Sequence, residues 1–280
     1  EAFCGYVLPW GNMSYWGAQV IINLFGTIPV IGPDVVIWVQ GDYSPGDATL
    51  NRLFSLHVIA LPFVLVGLVV AHIIALHEVG SNNPDGVEIK KHKDKATGIP
   101  LDGIPFHPYY TVKDIVGVTV FLMIFCAVIF WAPDGGGYFL EKPNFIPASA
   151  ISTPEHITPA WYFGSFYAIL RATPPMFGSA LPGVIAMFGA VAVIFFVPWL
   201  DRSPVKSIRY RGPYYKIALG LFTVAFIALN YYGMQPPSDF GTLISRIGMA
   251  IYFAFFLLMP VYTKLDSYKT VPERVTYEAH

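Results

Sequence analysis

Residues 53–76 read LFSLHVIALPFVLVGLVVAHIIAL, and their only ionisable side chains are His57 and His72. The stretch is apolar and long enough to cross a membrane as one helix. Fifteen residues separate the two histidines; at 1.5 Å per residue that is roughly 22 Å, most of a bilayer core. An imidazole near each face of one spanning helix suits two stacked metal centres rather than one pocket. Such a pair could carry electrons across the bilayer. The other reading is two buried histidines hydrogen-bonded to neighbouring helices. Polar groups in lipid are costly and mark function, but the spacing alone leaves both readings open.

Composition bounds the class. Hydrophobic residues make up 55% of the 280-residue chain and charged residues 12%, with a mean hydropathy of +0.54. A soluble domain carries about 25% charged residues, so an integral membrane protein is expected. The 16% of aromatics fits belts at both membrane interfaces. A net charge of −1 and the lack of a basic stripe argue against nucleic acid. The two cysteines, Cys4 and Cys126, point to neither a disulfide framework nor a CxxCH haem attachment. The opening EAFCGYVLPWG has no Met and no charged n-region, so further sequence upstream is expected.

Five segments read as spans: 53–76, 115–132, 181–200, 216–232 and 246–263. The last two are short for about 20 residues and are expected to extend into their polar flanks. The stretch 15–39 is interrupted by Pro29 and Pro33 and carries Asp34; it reads as amphipathic helices lying in the interface. Five alternating spans place thirteen of the 17 Lys and Arg on one side, leaving Arg52, Lys142, Arg171 and Arg246 on the other. The positive-inside rule assigns the thirteen to the cytoplasmic or matrix face. The expected fold class is therefore an all-α integral membrane protein, a transmembrane helical bundle of five spans plus interfacial helices. Residues 1–80 hold the interfacial helices and the histidine helix, 81–114 a negative-side loop, and 115–280 a C-terminal unit. Within that unit lies the long, proline-rich loop 133–180. Its aromatic run from Thr158 to Arg171 suits a roof over a lipid-accessible pocket, or a plain interfacial anchor. Loops of this length are usually functional.

Four motifs occur in order: GYVLPWGNMSYWGA (5–18), LHEVGSNNPDG (76–86) after the two histidines, FHPYYTVKDIVG (106–117) and PAWYFGSFYAILR (159–171). Together they resemble cytochrome b of the respiratory cytochrome bc complex, nearly end to end. The resemblance implies two haem b groups (iron) and ubiquinone or ubiquinol sites on both faces. His57 resembles the axial ligand of the low-potential haem near the positive face, and His72 that of the high-potential haem near the negative face. The family's first helices, absent here, would bring the second ligand of each haem. Mitochondrial relatives space these histidines by fourteen. A fifteen-residue step offsets them by 60° around a regular helix, at 100° per residue, and Pro62 adds a kink. Gly5 resembles a small residue that lets a helix pack against the low-potential haem, or fits ordinary close packing.

By the same resemblance, His77, Ser81 and Asp114 match the quinone-reduction site, with Lys113 as a proton-uptake residue. A histidine and a carboxylate at opposite quinone carbonyls are suitable proton donors. Outside these motifs they would be ordinary loop-edge residues. Phe3, Tyr6, Met13, Gly17, Pro159, Trp161 and Tyr162 match the quinol-oxidation pocket. Most relatives carry a glutamate where this chain has Ala160. Glu155 is the nearest carboxylate in sequence and could take that role, or could be a solvated surface charge.

The implied function is the cytochrome b subunit of a proton-translocating quinol:cytochrome c oxidoreductase. It would oxidise quinol at the positive face and pass electrons through both haems to quinone at the negative face. Implied partners are a Rieske iron–sulfur protein, a c-type cytochrome, membrane lipid, the helices completing the haem sites, and a second copy in a homodimeric complex. A bacterial plasma membrane is the expected location, with the mitochondrial inner membrane the alternative. A dihaem membrane anchor of another quinone-linked enzyme would share the histidines without needing the PAWY loop. A proton-relaying transporter would need paired carboxylates within spans or discontinuous helices in two matching halves, and the sequence offers neither.

Overall fold

The computed structural model describes residues 1–276, and these form helices joined by turns, with isolated bridges but no strand among the described residues. Four helices open the chain: α1 (Ala2–Val7), α2 (Asn12–Phe25), α3 (Gly32–Gln40) and α4 (Asp47–Ser55). Cys4 and Val7 of α1, Ala18 and Ile22 of α2 and Leu53 of α4 form one buried cluster. The stretch 15–39 is thus two helices, α2 and α3, parted around Pro29. Pro33 sits in the first turn of α3, where a missing amide costs no hydrogen bond.

The histidine stretch is helical from Asp47 to Val79, 33 residues in all. It comprises α4, a single π-helical turn over Leu56–Ala60, and α5 (Leu61–Val79). In the π turn the Leu61 amide donates to the Leu56 carbonyl, five residues back. Pro62 follows in the first turn of α5, and its missing amide explains why the ladder rearranges here. His57 lies inside this wide turn. A π turn holds one more residue than a regular turn, so it takes up part of the 60° offset. The distortion expected at Pro62 is therefore a widening around the first histidine.

The remaining spans are α6 (Tyr109–Trp131), α8 (Leu181–Phe195), α10 (Pro213–Met234) and α11 (Asp239–Leu257). Both α10 and α11 reach beyond 216–232 and 246 into their polar flanks. Four helices, including Asp47–Val79, are long and apolar enough to cross a membrane; the fifth expected span is broken. Residues 181–200 form the 15-residue α8, an interruption at Phe196 and the four-residue α9 (Val197–Leu200), with Pro198 in α9's first turn. Likewise α11 ends at Leu257, and α12 (Met259–Leu265) starts afresh with Pro260 near its start.

A second core holds the C-terminal unit together. Ala168 and Ile169 of α7 (Gly164–Ala172), Ala190 of α8, Leu229 of α10, Tyr252, Phe255 and Phe256 of α11 and Met259 of α12 are buried in it. Phe222 packs against Phe255 with tilted rings 4.5 Å apart, and the Tyr252 hydroxyl donates to the Ala190 carbonyl at 2.8 Å. Small residues let backbones touch: a Cβ on Gly233 of α10 would lie 2.0 Å from the Gly164 carbonyl of α7. By contrast, α5 and α6 bury no residue. Their apolar faces are open all round, as expected of helices whose neighbours are lipid or other chains.

Polar ties gather three chain segments at one end. The Asp85 carboxylate is fully buried. It accepts from the Tyr210 hydroxyl at 2.8 Å, Arg209 Nη1 at 3.3 Å, and both the amide and hydroxyl of Thr276 at 2.9 Å. Asp102 accepts from Arg274 at 2.6–2.9 Å. The loop after α5, the loop before α10 and the tail therefore share one face, the lysine- and arginine-rich one.

The Thr276 amide first, and then the Tyr210 hydroxyl, hold the Asp85 carboxyl down to about 2. Because the folded value lies below the ordinary 3.8, the tie contributes fully above that ordinary value and is lost as pH falls towards about 2. We expect Asp85→Asn to raise amide hydrogen exchange across 203–211 at neutral pH, with the parent changing only on acidification through that window. Equal exchange in both proteins at neutral pH would contradict the assignment.

Candidate functional site

An apolar cavity of about 320 Å³ lies between the N-terminal helices and the PAWY loop. Phe3 and Tyr6 of α1, Gly17 and Phe25 of α2, Pro159 and Ala160 of the loop, and Met187 and Phe188 of α8 line it. Phe25 and Phe188 close one side, their rings 6.3 Å apart. Four of the expected pocket residues, Phe3, Tyr6, Gly17 and Pro159, thus meet around one space. Met13 is buried beside it, 2% exposed, and does not line it. Trp161 and Tyr162 sit at its edge in an aromatic row: Tyr138–Trp161 at 5.8 Å and Trp161–Tyr162 at 5.5 Å. The Trp161 carbonyl accepts from Asn230 Nδ2 at 2.9 Å, which fixes the loop onto α10.

The opposite wall depends on a polar knot. Ser14 N donates to Asn144 Oδ1 at 2.8 Å, Asn144 Nδ2 donates to Ser14 Oγ at 3.0 Å, and Ser14 Oγ donates to the Tyr6 carbonyl at 2.7 Å. Asn12 adds a bond from its Nδ2 to the Ser152 carbonyl at 2.7 Å and accepts from Ser149 N at 3.1 Å. Trp16 Nε1 lies 3.0 Å from the carbonyls of Ser149 and Ser152. Buried polar groups need such partners, and here the partners lie some 130 residues apart in sequence. Gly11 is where the two segments touch: a Cβ there would lie 2.0 Å from the Asn144 carbonyl.

The knot places Glu141, three residues before Asn144, against Tyr6, whose hydroxyl donates to Glu141 Oε2. Burial first, and then the charge of Glu141, raise the Tyr162 hydroxyl above its ordinary value. Glu155 is exposed and does not line the cavity. Its neighbour His156 has an Nε2 closed off from solvent with no hydrogen-bond partner. Sequence reading missed Glu141, Asn144, Asn12 and Gly11. The only local sign was a run of polar residues, Gly11-Asn12 and Ser14, inside an otherwise apolar stretch.

The two histidines stay apart, at different levels of the long helix. The His57 Nδ1 meets Glu1 Oε2 at 2.5 Å, and the ring lies against Gly5, where a Cβ would come within 2.6 Å of its Cε1. Gly5 thus makes room for the His57 imidazole itself. His72 is exposed on α5. Among the described residues no group of three or more His, Cys, Asp or Glu is placed to hold a metal ion. Single histidines at separate levels would suit haem b, which needs no cluster of protein ligands. His77, Ser81, Lys113 and Asp114, expected at the negative-side quinone site, are all exposed, and none of them lines the apolar cavity. They stand at the ends of α5 and α6, the two helices that bury nothing.

The fold and cavity define an all-α integral membrane bundle built around an apolar chamber at one face. A family profile described as cytochrome b(N-terminal)/b6/petB matches residues 1–137, and one described as cytochrome b(C-terminal)/b6/petD matches residues 147–253. The chain is 61% identical to a cytochrome b of Allochromatium vinosum over 281 residues, covering 98% of this chain and 67% of the relative. It is 49% identical to a cytochrome b of Rickettsia bellii, covering 98% and 64%. A solved structure described as a hyperthermophilic respiratory Complex III aligns with a TM-score of 0.81 at 32% identity, over 94% of this chain and 66% of that one. The chain belongs to the cytochrome b family, and spans about two thirds of the length of the relatives it matches.

Gly11→Ala is expected to lift the segment 141–152 off α2, because a methyl cannot share space with the Asn144 carbonyl. Breaking the buried Asn144 pair instead, by Asn144→Ala, should cost about 1–3 kcal/mol. Limited proteolysis of 141–152 in detergent reads both. Cleavage no faster than in the parent would show that the knot does not hold the loop.

Proposed function

We propose that this chain is the haem- and quinone-binding cytochrome b subunit of a proton-translocating quinol:cytochrome c oxidoreductase in a bacterial plasma membrane. It would oxidise quinol at the positive face and reduce quinone at the negative face. The observation that carries the reading is the apolar cavity, assembled by two of the family motifs, 5–18 and 159–171, from distant parts of the chain. An apolar chamber with few polar groups is the ordinary form of a small-molecule site, and this one suits a quinol ring with an apolar tail.

His57 and His72 would each hold one haem b iron, with Gly5 leaving room beside the first. When bound, the two haems supply one-electron redox centres near the two faces. The exposed sides of α5 fit the further helices that the family brings to the bundle, which would supply the remaining protein ligand of each haem. The remaining work belongs to this chain's own groups. Phe3, Pro159 and the rest of the apolar lining exclude water and orient the quinol, and Tyr162 borders the chamber. Glu155 and His156 stand outside the lining, where a released proton can reach the positive-side surface. On the negative side, His77 and Asp114 would hold protons for quinone reduction, with Ser81 positioning the ring and Lys113 drawing protons in. In the assembled complex the surrounding subunits and lipid would complete this exposed site. Partners by this reading are a Rieske iron–sulfur protein, a c-type cytochrome and a second copy of the complex.

In the assembled complex, His72→Leu should remove one of two b-type signals from the reduced-minus-oxidised spectrum and abolish quinone reduction at the negative face. A full b-haem spectrum in the variant would overturn the ligand assignment. Asp114→Asn should slow quinone reduction by about tenfold or more, since an amide hydrogen-bonds but does not deliver a proton. Unchanged kinetics between pH 6 and 9 would count against that role.

A further inference from the structure

Resting on the quinol-oxidation reading of the cavity, we infer that Glu141, acting through the Tyr6 hydroxyl, receives a proton from the bound quinol. Three observations carry this. Tyr6 lines the cavity, while Ala160, in the opposite wall, offers only a methyl group. The Tyr6 hydroxyl donates its hydrogen bond away from the ring edge, to Glu141 Oε2. Glu141 itself is half-buried, on the loop that faces solvent, beside the exposed Lys142.

A phenol both donates and accepts. With its hydrogen committed to Glu141, the Tyr6 oxygen keeps a lone pair for a quinol hydroxyl in the chamber. The transfer then balances in one relay. The quinol O–H bond breaks and its proton binds Tyr6 Oη, while the Tyr6 O–H bond breaks and its proton binds Glu141 Oε2. Tyr6 ends neutral, Glu141 ends as a carboxylic acid, and the electron pair of the quinol O–H bond stays on the quinol oxygen. The quinol's electrons then leave singly to one-electron acceptors of the iron–sulfur and haem classes. Glu141 next loses its proton to water at the positive face. Glu141 is a positioning and proton-receiving residue behind Tyr6, and the polar knot at Asn144 is what holds it there.

The geometry also separates Glu141 from Glu155. Both carboxylates lie in the loop 133–180, but the structure couples only Glu141 to a residue of the cavity wall. The Tyr162 hydroxyl, at the cavity edge, is raised by burial and by the Glu141 charge, which places that charge close to the chamber.

The test is quinol:cytochrome c turnover of the assembled complex carrying Glu141→Gln, Glu141→Asp, or Glu141→Gln with Ala160→Glu. The expected result is kcat lowered about tenfold or more in Glu141→Gln, with KM for quinol and the affinity for a quinol-site inhibitor near the parent values. Part of the rate should return in Glu141→Asp and in the double variant. In redox-difference infrared spectra, a carboxylic-acid C=O band of the parent should be missing from Glu141→Gln. Parental kcat in Glu141→Gln would overturn the inference. So would a loss that neither carboxylate variant restores, or one that comes with lost inhibitor binding, since a displaced loop then accounts for it. A parent complex that fails to oxidise quinol at all would instead sink the functional reading on which this rests.

Discussion

The hydrogen-bonded knot between Asn144 and the start of α2 is the constraint on which the chamber depends. It joins two segments some 130 residues apart, in a protein whose lipid setting gives helices no hydrophobic reason to associate. Two long helices in this chain bury nothing. What packs elsewhere does so through small residues, an aromatic cluster and satisfied polar groups. In an apolar surrounding an unpaired amide costs more than a paired one contributes, so the Asn144 side chain and its partners form a contact with one favourable arrangement. That arrangement sets the wall of the chamber, the seat of Tyr6 and the place of Glu141.

The two ends of the molecule are held differently. At the charged face, Asp85 and Asp102 gather loops and tail by ion pairs and hydrogen bonds, an assembly open to pH and water. At the opposite face, the chamber is closed by apolar contacts, with one carboxylate admitted at its rim. Under the proposed function this division would suit each side: a dry site from which protons leave and a wet one where they are collected. The histidine helix connects them. Its π turn at His57 and its regular run to His72 present the two imidazoles at separate depths, with Gly5 leaving space beside the first.

Much of this was legible in the sequence. Long apolar runs gave the spans, because a helix is the one local solution to backbone hydrogen bonding in lipid. The histidine ladder and the four motifs located the expected pocket, and Phe3, Tyr6, Gly17 and Pro159 do meet around it. The breaks at Phe196 and Leu258 were not foreseen, although Pro198 and Pro260 stand close by. Hydropathy averages over a window and does not register a lost amide. The π turn escaped for the same reason. Glu141 was invisible because it is marked only by a contact with Tyr6, 135 residues away in sequence, while Glu155 attracted notice through nearness in sequence to Ala160. His77, Ser81, Lys113 and Asp114 were recognisable only as parts of motifs, since all four are exposed and no buried contact marks them out.

The most direct measurement is the structure of the assembled complex with a quinol analogue bound at the positive face. Its ring should lie inside the chamber, between α2 and the loop at Pro159, with a hydroxyl within hydrogen-bond reach of Tyr6 Oη and Glu141 still on the far side of that phenol. A ring bound elsewhere, or a chamber filled by a lipid chain with Tyr6 turned away from Glu141, would contradict the proposed relay.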